Sequence, residues 1–163
     1  MADSKRQRIV DAMKTRMATI LTAGGYATNL GANVREWETH IQQDDIPAAG
    51  IISVCDMPAV AASPEQARSE RIVTGVTIWL MPVQFRIFLI RNTSVHANLR
   101  TAIKDVNRAI RQDRRWTVSN VGLAAATRPL REGPLVDEET FEVAGAVIEV
   151  EVKYLTKEFN SEE

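Results

Sequence analysis

The chain has 163 residues, of which 45% are hydrophobic and 25% charged, and its formal net charge is -1. This size and composition are typical of one soluble globular domain, so we predict a single domain spanning residues 1–163. The near-neutral charge argues against general attraction to nucleic acid or anionic membranes. One cysteine, Cys55, excludes an intrachain disulfide, and the lack of a long apolar run favours a soluble protein made in a cytoplasm.

The N-terminal segment predicts an amphipathic helix from about Ser4 to Ala23. Ser4 is a suitable N-cap, and Gly24-Gly25 offers residues that tolerate left-handed dihedrals where the helix would end. The apolar positions recur at spacings of one, three and four; they are Ile9, Val10, Met13, Met17, Ile20 and Leu21.

The next segments carry weaker patterns. Residues 26–41 have loose alternation and suggest a weak strand pair or an extended segment. The segment Ile46-Pro47-Ala48-Ala49-Gly50 leads into a β-branched run that ends at Cys55, which predicts a short buried strand. Residues 56–70 contain Pro58 and Pro64 with little periodicity, which predicts a long loop and a candidate assembly surface.

Residues 71–91 predict the centre of a sheet. Pro82 divides them into strands at about 71–80 and 83–91, or into one long strand bent at a bulge. Val83, Phe85, Ile87 and Leu89 would form one face, while Phe88 and Ile90 keep the other partly apolar. We therefore expect this strand to be covered on both sides.

A second amphipathic helix follows Asn92-Thr93-Ser94. Its apolar stripe contains Leu99, Ala102, Ile103, Val106, Ala109 and Ile110. The opposite side carries cations at spacings of three and four, and we call this set the basic ridge: Arg100, Lys104, Arg108, Arg111 and Arg115.

The C-terminal part predicts two more strands. One runs from about Trp116 to Arg128, and a turn containing Pro129, Gly133 and Pro134 separates it from a final strand at 140–156. A bulge is expected at Gly145 and a short flexible tail at 157–163. The whole order predicts an α+β fold, a largely antiparallel sheet packed with two helices.

This order resembles the tail terminator (tail completion) proteins of long-tailed bacteriophages over nearly the full chain. The matching parts are the N-terminal helix, the strand entry Ile46-Pro47-Ala48-Ala49-Gly50-Ile51-Ile52, the strand from Gln84 to Arg91, the helix from Asn98 to Arg111 and the strand from Val147 to Tyr154. The phrase Val150-Glu151-Val152-Lys153-Tyr154 adds a short local likeness.

The resemblance implies a virion protein, assembled in the host cytoplasm, that forms a homo-oligomeric ring, usually a hexamer. Such a ring stops polymerisation of the tail tube protein and presents the docking surface for the head completion or connector protein, while DNA passes through without sequence-specific binding. No catalytic, cofactor-binding or metal-binding residue is implied. The contacts are expected in the 56–70 loop and the Pro129–Glu139 turn.

The basic ridge leaves three alternatives open. Plain solvent exposure is the commonest state of a charged helix face. Pairing across a subunit interface is the second alternative, and DNA binding, without accompanying aromatics, is the weakest. The acidic candidates for subunit pairing are Glu138, Glu139, Glu142, Glu149 and Glu151.

Two other groups of residues suggest different chemistry. Asp44-Asp45, with Asp56 further on, could hold a cation, but a solvated loop is the better interpretation. Cys55 with His40 or His96 could form a nucleophile pair only if distant residues converge, which would favour a small cytoplasmic α+β enzyme. Another neck or head-tail joining subunit is the nearer alternative to a tail terminator.

Overall fold

The computed structural model describes residues 4–38, 41–63, 75–90, 92–134 and 143–157. It confirms the α+β fold. Two helices, α1 (Lys5–Met17) and α2 (Val95–Gln112), accompany strands β1 (Val34–Glu36), β2 (Ile51–Asp56), β3 (Val60–Ala61), β4 (Val76–Ile90), β5 (Thr117–Val118), β6 (Val121–Gly122), β7 (Ala126–Pro134) and β8 (Val143–Lys157).

Six of these strands form one mixed sheet in the order β1-β2-β4-β8-β7, and β3 pairs with β4 beyond the end of β2. Among the described strands, β1 and β2 form the only parallel pair of this sheet. β4 and β8 pair over their full lengths in one continuous register, from Val76 opposite Lys157 to Ile90 opposite Val143. Residues 76–90 form one long strand, so the alternative of two strands divided at Pro82 is wrong. The predicted bulges at Pro82 and Gly145 are also wrong, and the described irregularity lies in β7 between Pro129 and Arg131.

Pro82 fits inside β4 because the carbonyl that its missing N–H would bond has another donor. The Met57 amide donates to the Pro82 carbonyl at 2.8 Å, so both backbone groups of Pro82 point toward the end of β2. Any other residue at position 82 would donate its N–H to the Met57 carbonyl. Because proline cannot, this carbonyl accepts from Arg6 Nη2 at 3.3 Å. A side chain of α1 thus completes the ladder.

The main core lies on the inner face of the sheet, which we define by Ile52, Val83, Phe85 and Ile148. α1 and α2 pack there, and their apolar stripes join the sheet in one buried cluster. The predicted stripe of α2 is confirmed, with Ile103 partly buried at its margin. The alternation predicted for β8 is also confirmed, since Ala146 to Tyr154 are buried at every second position.

The outer face of the sheet is covered only in part. The segment that follows β1 crosses β2, where the Glu38 amide donates to Ser53 Oγ at 2.8 Å and Ile46 packs with Ile51 and Phe88. Farther along, Gln84 and Arg86 are half-buried and polar. The prediction that β4 is covered on both sides is therefore wrong for this part of the strand.

Several predicted boundaries are also wrong. α1 ends at Met17, and Gly25, at φ +80°, follows a 3-10 turn at Thr22–Gly24 and not the helix itself. Ser4 does cap α1, because its Oγ accepts from the Gln7 amide at 3.2 Å. Residues 26–41 supply the 3-10 turn Leu30–Ala32 and the short β1, and no strand pair of their own among the described positions.

The two segments expected to be assembly loops are partly strands. Residues 60–61 of the 56–70 segment form β3, and 64–70 lie outside the described residues. Residues 129–134 belong to β7, with 135–139 outside the described residues. Of the expected 157–163 tail, Lys157 ends β8 and the remainder lies outside the description.

Candidate functional site: the basic ridge and two exposed apolar surfaces

All five members of the basic ridge are exposed. Four lie on α2, and Arg115 follows the helix and packs beside Gly122. The acidic residue of α2, Asp105, is 4% exposed and turned inward, so it does not neutralise the ridge. The outward surface of α2 is consequently cationic.

Asp105 was missed by the sequence analysis, which placed only apolar residues in the buried stripe. Its Oδ2 accepts three hydrogen bonds, from the amides of Ala27 and Thr28 at 3.0 and 2.8 Å and from Thr28 Oγ1 at 2.8 Å. The sequence did contain a signal for this contact, because Asp105 falls within the apolar stripe of the helix and a buried carboxylate requires hydrogen-bond donors. Asp105 fixes the chain after Gly25 against the helix.

Arg108 differs from the rest of the ridge because it has intramolecular partners. Its Nη1 donates to the Gly25 carbonyl at 2.6 Å, and its guanidinium lies 4.8 Å from the centre of the Tyr26 ring. Within the described part of the chain, Arg100, Lys104, Arg111 and Arg115 make no ion pair. These four are the cations available to a partner.

Two of the acidic residues proposed as partners of the ridge, Glu149 and Glu151, are described, and each bonds a different side chain. Glu149 Oε2 accepts from Arg131 Nε at 2.8 Å and from Gln84 Nε2 at 3.2 Å, while Glu151 pairs with Arg128 at 3.0 Å. Both belong to the polar outer face of the sheet, opposite α2. Glu138, Glu139 and Glu142 lie outside the described residues.

A short hairpin, β5–β6, follows the ridge and replaces the single strand predicted over Trp116–Arg128. Its two central residues, Ser119 and Asn120, have φ values of +48° and +67°, as the tightest hairpin turns require. Val118 pairs with Val121, and their side chains are 43% and 60% exposed. The Ser-Asn dipeptide was a usable but weak turn signal.

Asp113 holds the base of this hairpin. It accepts from the Thr117 amide at 2.7 Å, from Thr117 Oγ1 at 3.1 Å and from the Arg115 amide at 3.1 Å, and Arg16 Nη2 lies 3.4 Å away. Burial opposes ionisation of this carboxyl, but the hydrogen bonds outweigh it and lower the pKa of Asp113 below 3.8.

Replacing Asp113 with asparagine should therefore destabilise the protein by about 1 to 2 kcal/mol at neutral pH. A folded-state pKa below the unfolded one stabilises the fold above about pH 3.8, and that contribution is lost as pH falls through the folded-state pKa. Urea unfolding from pH 7 to pH 3 should show the two proteins converging at the acid end. A difference that stays constant with pH would contradict this assignment.

Trp37 is another exposed apolar residue, and its side chain has a fixed position. It follows β1 with φ +58° and is 47% exposed, yet its indole Nε1 donates to Asp56 Oδ1 at 3.0 Å. Asp56 is itself buried and bound by Arg6. The ring is thus held in one orientation at the surface.

The alternative chemistries do not assemble among the described residues. Cys55 is buried on the outer face of the sheet, whereas His96 is exposed on α2 across the sheet, and His40 lies outside the description. Asp44 and Asp45 are exposed, while Asp56 is committed to Arg6 and Trp37. Over the described ranges, no group of three or more metal-binding side chains comes together.

Comparison with known proteins gives no further assignment: no family model matches the chain, and no curated protein matches its sequence. Neither helix of the described structure combines the length and apolarity needed to cross a bilayer.

Proposed function

We propose that this protein is a tail terminator: a subunit that assembles as a ring on the tail tube, stops tube polymerisation and presents the docking surface for the head connector. The observation that carries the proposal is the basic ridge, whose Arg100, Lys104, Arg111 and Arg115 are exposed and make no ion pair with any described residue. Such a surface gains most from a partner that brings opposite charge.

The fold supports the same proposal in a second way. The continuous β4–β8 pair and the two helices on its inner face give a rigid body with an ordered core. A ring works by geometry: one edge binds the neighbouring subunit, one ring face reproduces the tube interface, and the other face rejects a further tube ring. DNA passes through the ring without a base-specific contact.

The test is the length of tails made with and without the protein. In its absence we expect tails of variable and excessive length in electron micrographs, and complementation with the wild-type protein should restore a uniform length. Uniform tails of normal length in its absence would exclude the terminator role. Normal tails that fail to join heads would instead identify a neck or head-tail joining subunit.

The same complementation tests the ridge. Lys104→Glu with Arg111→Glu should fail to restore uniform tails, because each change places a carboxylate where a partner presents one. Arg108 is left intact, since its contacts with Gly25 and Tyr26 support the fold. The matched Lys104→Gln and Arg111→Gln variant should retain partial function, and an unaffected double Glu variant would show that the ridge faces only solvent.

A further inference from the structure

Trp37 combines exposure with a costly backbone conformation. A bulky residue at φ +58° is rare, and the left-handed region costs about 1 to 2 kcal/mol for a residue with a side chain. Such strain persists where the surroundings impose it and is concentrated at functional positions. Here the Trp37 amide donates to the Val54 carbonyl at 3.1 Å, and Asp56 holds the indole. The ring is preorganised for contact with another molecule.

The β5–β6 hairpin presents two exposed apolar side chains side by side. Val118 and Val121 project together from a rigid turn, and Asp113 ties the base of the hairpin to the chain. Exposed apolar side chains that are held in place in this way suit a binding surface.

The two surfaces lie on different sides of α1. On one side, Arg6 contacts Asp56, which holds Trp37. On the other, Arg8 and Thr15 line an open groove of about 540 Å³ together with Val118 and Ser119 of the hairpin. One copy of the chain therefore cannot bring its own Trp37 onto its own hairpin, but two copies can meet through these surfaces.

The charges around the two surfaces are opposite. Arg114 and Arg115 directly precede the hairpin, and both are exposed and make no ion pair with any described residue. Beside Trp37, Glu36 and Glu38 are neutralised by Lys14 and Arg35, and Arg35 also bonds the Asp45 carbonyl at 3.2 Å. Asp44 and Asp45, held next to β1 by that bond from Arg35, are exposed and make no ion pair with any described residue.

We propose that the Trp37 surface of one copy of this chain binds the 117–122 hairpin of the next copy. The indole packs against Val118 and Val121, and Asp44 and Asp45 face the arginines that end the basic ridge. A contact between two different surfaces is heterologous, and its repetition closes into a ring when the rotation permits. The inference rests on the ring-forming role proposed above and names the two halves of its subunit contact.

Two variants test the two halves of this contact separately. Trp37→Asn removes the indole, and asparagine tolerates the left-handed backbone at this position. Val118→Thr with Val121→Thr removes the apolar contact while keeping β-branched side chains in the hairpin. Leu130→Thr is the matched control, because Leu130 is 43% exposed on β7, as exposed as Val118, and lies outside both surfaces.

Sedimentation velocity and native mass measurement of the full chain then give the assembly state. Each variant alone should need on the order of thirtyfold more protein than the wild type to assemble. When the two variants are mixed, Trp37 of the double Thr variant should bind the hairpin of the Asn variant and form a heterodimer. No larger assembly should form, because the two remaining surfaces of this heterodimer are the altered ones. High salt should weaken wild-type assembly.

The proposal is overturned if either variant assembles like the wild type, if the mixture gives no heterodimer, if the wild type stays monomeric throughout, or if Leu130→Thr is equally impaired. Thermal unfolding of each variant shows whether the substitution has impaired folding.

The tail-length assay distinguishes this contact from the terminator role. Uniform tails restored by Trp37→Asn would refute this contact while leaving the terminator role intact. Uniform tails without any protein would refute the role itself.

Discussion

Replacing Gly50 with alanine is expected to destabilise the protein by about 3 kcal/mol or more, combining backbone strain with overpacking. Gly50 has φ +81° immediately before β2. A Cβ there would overlap the Leu89 side chain and lie 2.9 Å from both Leu30 Cδ2 and the Phe88 carbonyl oxygen. Leucine side chains can shift, but the Phe88 oxygen belongs to the paired backbone of β4 and cannot.

Gly133→Ala is the matched control for this change. Gly133 lies in β7, and a Cβ built there meets no atom within 4 Å. We expect its free energy of unfolding to stay within about 0.5 kcal/mol of wild type. Guanidinium unfolding followed by circular dichroism would measure both variants, and equal losses would contradict the close packing described around Gly50.

Replacing Trp116 with alanine should cost about 3 to 5 kcal/mol, the usual loss for a large aromatic side chain deleted from a core. Trp116 is fully buried, and its ring centre lies 6.1 Å from that of Phe85. Its Nε1 donates to Thr127 Oγ1 at 2.8 Å, and that hydroxyl donates to the Arg114 carbonyl at 2.8 Å. The deletion would open a cavity and break this chain of hydrogen bonds at the foot of the hairpin.

Trp116→Phe separates the two contributions. Phenylalanine retains most of the apolar contact with Phe85 but leaves Thr127 without its indole donor, so the loss should be smaller, about 1 to 2 kcal/mol. The same unfolding experiment applies. An alanine variant within about 1 kcal/mol of wild type would show that Trp116 is not a core residue.

The spacing of apolar residues predicted the features of the fold that depend on nearby residues in the sequence. The apolar stripe of α2 and the alternation of Ala146 to Tyr154 follow from burying one side of a regular element, and the structure confirms both. Pro82 was treated as a break because proline lacks a donor. The strand continues through Pro82 because Arg6, a residue far away in sequence, donates to the Met57 carbonyl that the missing N–H of Pro82 leaves without a donor.

Only the basic ridge of the candidate site was predictable from the sequence. The basic ridge is visible in the spacing of its cations, but the commitment of Glu149 to Arg131 depends on the pairing of β7 with β8. Trp37 and the β5–β6 hairpin rely on positive φ values at Trp37, Ser119 and Asn120. Local propensity does not anticipate such values for tryptophan or serine, since tertiary contacts impose them.

The long pair of β4 and β8 also has a consequence for synthesis. β8 follows β4 in the chain with α2 and β7 between them, so the central strand has no partner on that side until β8 leaves the ribosome. Until then the nascent chain exposes an unpaired apolar strand, a known cause of misfolding and aggregation. Chains truncated before Val143 should therefore accumulate as aggregates, and production of this protein should depend on chaperones that shield β4 during translation.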